Sequence, residues 1–162
     1  GTHPRAEQVE LPWLPPLSLF PGAAAVATQG AVGRYREWIA GEQKRASGFL
    51  ERSNELITAF VESGSWREAR PYLQEYTQLT RELGDEIGVS ARLEPPGELT
   101  AGANEWGPVW KAVGAGNELG VVFHPDYEPG GREASGGFAP SGELVPVSID
   151  REGLRWPGSS WE

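Results

Sequence analysis

The chain has no cysteine, no methionine, only two histidines and no long apolar run. Without cysteine there is no disulfide, no thiol nucleophile and no Cys-ligated metal centre. His3 and His124 lie far apart, without metal-ligand spacing, and no serine sits in a G-x-S-x-G elbow. The sequence therefore points to no catalytic residue, no metal site and no obvious partner for His124. With no apolar run of about 18 residues, nothing in it reads as a membrane-spanning helix. Basic residues are few, 14 Lys and Arg against 23 Asp and Glu, for a formal net charge of −9. That balance argues against nucleic acid as a partner, because phosphate contact needs a basic face. Aspartate is scarcer still. Asp85, Asp126 and Asp150 stand at a helix end, in a Pro-flanked loop and in a turn, where Asp serves caps and turns. A chain without Met at position 1 implies a processed or truncated start, and Gly1-Thr2-His3 has the look of a remnant. The N-terminus is polar and then proline-rich, unlike a secretory leader, so a cytoplasmic location is expected.

What is present suits a folded domain. The chain has 162 residues, 38% of them hydrophobic, with seven Trp, 22 Gly and 14 Pro. That length can bury a sizeable core. Residues 1–16 read as a flexible or partner-binding arm, 17–155 as one domain and 156–162 as a tail carrying Trp156 and Trp161. Leu17 to Phe20 reads as a short buried strand stopped by Pro21-Gly22. From about Ala24 to Ala40 the spacing of Val32, Tyr35 and Ile39 predicts a helix, weakened by Gly30 and Gly33. Phe49, Leu56, Ile57, Phe60 and Val61 predict a helix over 43–62, ended by Gly64. Ser65 and Glu68 have capping-box spacing. Trp66, Ala69, Leu73, Tyr76, Thr80, Leu83 and Ile87 then mark a further helix closed by Gly88, with Pro71 expected to kink it or delay its start. Phe49, Ile57, Phe60, Leu73, Tyr76 and Leu83 are the expected shared core.

The acids Glu51, Glu55, Glu75 and Glu82 read as solvated helix faces rather than a catalytic pair. The segment around Gly64 to Ala69 has a tetratricopeptide flavour. That fold needs about three stacked copies at a period of about 34 residues, and no second copy is found.

Residues 94–108 read as a loop. Two β-like segments, Leu119 to Phe123 and Leu144 to Ile149, follow and flank a Gly/Pro/Ser-rich excursion. The order is strand, three helices, a Gly loop and strands. It predicts an α+β fold with helices packed on one face of a small antiparallel sheet.

The feature with chemistry in it is Lys111-Ala112-Val113-Gly114-Ala115-Gly116-Asn117-Glu118, running into Leu119 to Phe123. A Gly-Ala-Gly turn lets backbone approach a phosphate closely, and successive N–H groups there form an anion nest. The bland alternative is a strand-entry turn with no ligand. Glu118 works against anion binding. It either turns away and leaves the nest, or folds in and closes the site. The sequence favours the second.

The order of these pieces resembles the C-terminal half of GHMP-superfamily small-molecule kinases, most of all phosphomevalonate kinase. Leu17-Ser18-Leu19-Phe20-Pro21-Gly22-Ala23-Ala24-Ala25 before a helix looks like that family's strand and T-G-x-S-A-S-T turn. Phe49 to Gly64 and Trp66 to Leu83 look like its paired helices. Lys111 to Glu118 looks like its K-x-[ST]-G-A-G-G-G-D loop, one residue shorter. Phe138 to Leu154 looks like its closing strands. The departures are chemical: Ala24 and Ala27 (or Thr28 in a slipped register) stand at hydroxyl positions of the first turn. Val113 precedes Gly-Ala-Gly, and Asn117-Glu118 replaces Gly-Gly-Asp.

The resemblance implies a ferredoxin-like GHMP-kinase C-terminal domain of the mevalonate pathway and isoprenoid biosynthesis. Lys111 would counter anionic charge, and Gly114, Ala115, Gly116, Asn117 and Glu118 would line a substrate or phosphate site. The family's nucleotide loop, P-x-x-x-G-L-G-S-S-A, and its catalytic Asp are absent. ATP and Mg would then bind only with a complementary N-terminal half, the expected partner unless the chain forms a homo-oligomer. The substrate would be a small anionic metabolite. The alternative from another class is a non-catalytic binding or assembly module on the same fold.

Overall fold

Apolar residues at every second position over 17–20 and 119–123, and at helical spacing from 46 to 87, dictate a sheet covered by a helical layer. The computed structural model describes residues 9–22, 28–89, 93, 108–113, 118–124 and 144–147. Its elements are β1 (Leu17–Pro21), α1 (Thr28–Gly41), α2 (Gln43–Glu62), α3 (Trp66–Glu86), β2 (Val109–Ala112), β3 (Leu119–Phe123) and β4 (Val145–Val147). Ala24 to Ala27, where the sequence starts its first helix, lie outside the described residues, as do 94–107, 125–143 and 148–162.

The four strands form one antiparallel sheet in the order β2-β3-β1-β4. β1 and β2 are both antiparallel to β3, which lies between them, so they run parallel to each other. The three helices form the crossover that joins them. This split arrangement is compatible with a ferredoxin-like plan. Strand β2 is a correction to the sequence reading, which carries the loop through Lys111 and Ala112. Its four residues sit between Gly107-Pro108 and the Gly loop, and a central lysine hides the alternation.

The helix boundaries follow local chemistry. Ser65 is extended and its hydroxyl accepts the Glu68 N–H at 3.3 Å. The Glu68 carboxylate accepts the N–H of Gly64 at 2.9 Å, one residue before the usual capping-box partner. Helix α3 starts at Trp66, five residues before Pro71, so Pro71 does not delay it. At the other end Gly88 has φ +67, and Val89 N–H and Gly88 N–H donate to the carbonyls of Gly84 and Asp85 at 2.8 and 3.3 Å. That is a Schellman closure, and it needs glycine at the left-handed position.

Two clusters hold the layers together. On the helix side, Val109 and Phe123 pack with Leu73 of α3, joined by Leu17, Val121, Phe60 and Trp66. Trp66 stacks on Phe123 with ring centroids 5.6 Å apart. The N-terminal segment takes part: Leu14 packs against this cluster and Trp13 meets Phe60 edge-on at 5.3 Å. On the reverse face Phe20, Val122, Leu93 and Leu144 form a second cluster, with Trp110 and Ala112 against it. The sheet is thus buried on both sides, beyond the one covered face that the sequence suggests. Gly120 is required at its position, because a Cβ would run into the Phe20 ring and a Leu93 methyl.

In α2 the inward face is Ala46, Ser53 and Leu56, with Phe60 beside them. Ile57, expected in the core, is 46% exposed. Helices α2 and α3 are clipped on their outer side by Arg52, which reaches Glu75 and, at 2.9 Å, Glu55. Helix α1 is tied to the end of α3. Arg34 donates to the Gly88 carbonyl, and Glu86 accepts from Trp38 at 2.6 Å and from Arg45 at 2.7 Å.

Candidate functional site

Strand register brings two distant turns together. Pro21 pairs with Leu119 at the last position of the β1–β3 ladder. One step further the Gly22 N–H donates to the Glu118 carbonyl at 2.8 Å. On the other flank the Val113 N–H donates to the Leu119 carbonyl at 2.9 Å and closes the β2–β3 hairpin. Gly22, which follows β1, and Val113 and Glu118, which flank the Gly-rich segment, therefore share one end of the sheet, although the sequence separates them by some 90 residues. Helix α1 begins at Thr28, only residues 23–27 beyond Gly22, a reach of at most about 21 Å. Its first turn holds no acid, so nothing there opposes the positive end of its dipole.

Of the residues singled out from sequence, Gly114, Ala115, Gly116 and Asn117 lie outside the described residues. Glu118 is exposed, and the loop residues it would fold over lie outside the described residues. Val113 is exposed as well, presenting an isopropyl group where the resembled kinases carry a hydroxyl.

Lys111 is on strand β2, not in the loop. Alternation puts it on the same face as Val109, the helix side. Its ammonium lies 6.0 Å from the centre of the Tyr76 ring and donates to the Ala112 carbonyl at 2.8 Å. Half-burial pushes its pKa below the usual lysine value, since desolvation disfavours the charged form.

One contact is invisible in the sequence. The Ser18 hydroxyl lies 3.0 Å from His124 Nε2, across 106 residues of chain. It corrects the reading that leaves His124 without a partner. Burial lowers the His124 pKa, favouring the neutral ring. Ser18 is buried on β1, and the pair closes the end of the β1–β3 ladder opposite the Gly loop. The backbone N–H of His124 donates to the Pro16 carbonyl there at 3.0 Å. Among the described residues no group of three His, Cys, Asp or Glu is placed to hold a metal ion. Nor is any described helix long and apolar enough to cross a membrane.

No family model matches the chain, and no match is found among curated proteins. Among solved structures, the Lin0012 protein from Listeria innocua is similar, with a TM-score of 0.61 and 23% sequence identity. The likeness covers 73% of this chain and 34% of that one, so the chain spans about a third of that protein's length. At this identity the likeness is one of fold.

Proposed function

We propose that the chain is the C-terminal half of a GHMP-type small-molecule kinase, of the phosphomevalonate or mevalonate kinase kind. It would support ATP-dependent phosphoryl transfer to a small anionic metabolite when an N-terminal half supplies the nucleotide loop and catalytic Asp. The observation that carries the reading is the 2.8 Å bond from Gly22 to Glu118. It joins the two turns through which the sequence resembles that family, at the sheet end from which α1 departs. Phosphoryl transfer rests on positioning and on stabilising charge around the phosphates. Backbone N–H groups of a Gly-rich loop and a helix N-terminus without acids suit that task. Lys111 adds a cation close to the hairpin turn, from the helix side. The exposed Val113 favours the second reading, a binding or assembly module that has kept the fold and lost the chemistry.

The test is ATP turnover with mevalonate and phosphomevalonate. It is measured on the chain alone and on the chain joined to a GHMP N-terminal half that binds ATP. The chain alone should stay below roughly 1 turnover per second, the low end of ordinary enzyme rates, and the joined protein should exceed it. Turnover by the chain alone would overturn the half-kinase reading. A joined protein that folds and binds ATP but phosphorylates neither compound would favour the non-catalytic module.

A further inference from the structure

A cavity lies on the helix side of the sheet. It has a volume of about 460 Å³ and opens between the first turns of α1, the second half of α3 and strand β2. That is within the roughly 300–1,000 Å³ of small-molecule sites. Much of its wall is aliphatic, with Val32, Leu83, Ile87 and Val89 among the contributors.

Its polar groups are unusual for this chain. Lys111 and Arg81 both reach it, and no described lining residue is an acid, although the chain has 23 acids and 14 bases. The acids on the adjoining turn are engaged. Glu86 takes Trp38 and Arg45, Glu82 takes Gln78 at 2.9 Å, and Asp85 has a partner of its own. Donors are in excess. Lys111 spends one of its three N–H groups on Ala112, and neither cation forms an ion pair among the described residues. The phenols of Tyr35 and Tyr76 also line the space. The hydroxyls of Thr77 and Thr80 already donate to the carbonyls of Leu73 and Thr77, leaving only their lone pairs. Aliphatic walls with surplus donors and two cations that form no ion pair among the described residues are complementary to an anion that carries an apolar body. Burial works against the charge on Lys111, and an anion beside it would favour the charged form.

We infer that this cavity binds a small amphipathic anion, a carboxylate or phosphate monoester on a short aliphatic chain. Lys111 and Arg81 meet the head, and Val32, Leu83 and Ile87 meet the chain. The inference uses no residue of the Gly loop and shares only Lys111 with the kinase reading, so Arg81→Gln is the variant that tests it separately. Binding of hexanoate, hexyl phosphate, 1-hexanol and inorganic phosphate to the full chain tests it, followed by calorimetry and by NMR shifts at Tyr35, Tyr76 and Thr80.

Hexanoate or hexyl phosphate should bind at least about tenfold tighter than hexanol, the usual scale for a charge-assisted hydrogen bond. Lys111→Gln and Arg81→Gln should each weaken that binding by about tenfold, with the fold unchanged by circular dichroism. Whichever of the two anions binds tighter identifies the head group. Hexanol binding as tightly as both anions would overturn the inference. So would the absence of shifts at these residues with either anion at millimolar concentration. Shifts confined to Gly22 and residues 113–118 would assign the anion to the loop and likewise overturn it.

Discussion

Phe20→Ala is expected to cost about 3–5 kcal/mol of folding stability, the range for removing a buried aromatic ring. Phe20 is 1% exposed and sits among Val122, Leu93 and Leu144. Across the ladder its partner is Gly120, whose missing side chain leaves room for the ring. Removing the ring therefore opens a void against a residue with no atoms to fill it. Domains are typically stable by only about 5–15 kcal/mol, so this one change takes a large share. The measurement is urea unfolding followed by circular dichroism. A loss within about 0.5 kcal/mol, the range of surface changes, would show that the reverse face of the sheet has no packed core around Phe20. The pairing adds a sharper check. In Phe20→Ala/Gly120→Ala the new methyl enters the vacated space, so the double variant should be more stable than the sum of the single losses. Residues in contact depart from additivity in this way.

The second large effect separates neighbours. Leu56→Ala should cost about 2–5 kcal/mol, and Ile57→Ala no more than about 0.5 kcal/mol. Leu56 is 1% exposed and Ile57 46%, one helical step of about 100° apart. Equal losses, or a larger one at Ile57, would mean that α2 is rotated about its axis and turns Ile57 toward the core.

The same pair shows where the sequence stops deciding. Apolar residues come in doublets in this helix, Leu56-Ile57 and Phe60-Val61, so period alone allows two faces. Only the packed partner chooses between them, and it chooses the face of Ala46, Ser53 and Leu56. Where local chemistry decides, the sequence is directly legible. The bounds of α2 are those of its apolar spacing, Ser65 caps α3, and Gly88 closes it. Strand β2 is not legible, because Lys111 interrupts the apolar pattern and its partner is an aromatic ring on α3. The contacts of Gly22 with Glu118 and of Ser18 with His124 join residues that only strand pairing brings near. The loop's composition is readable, but the turn it shares a sheet end with is not.

Gly22, Val113 and Glu118 meet at that sheet end, and the kinase reading requires the segments they flank to act as one anion site. The most direct test is titration of the full chain with inorganic phosphate against chloride at matched ionic strength, which removes general screening. Backbone amide shifts are followed throughout. The amides of Gly22, Val113 and Glu118 should move together, with those of residues 23–28 and 114–117, along one saturable curve. Amides of Gly22 and Glu118 that stay still, or that respond to chloride as much as to phosphate, would contradict a shared site.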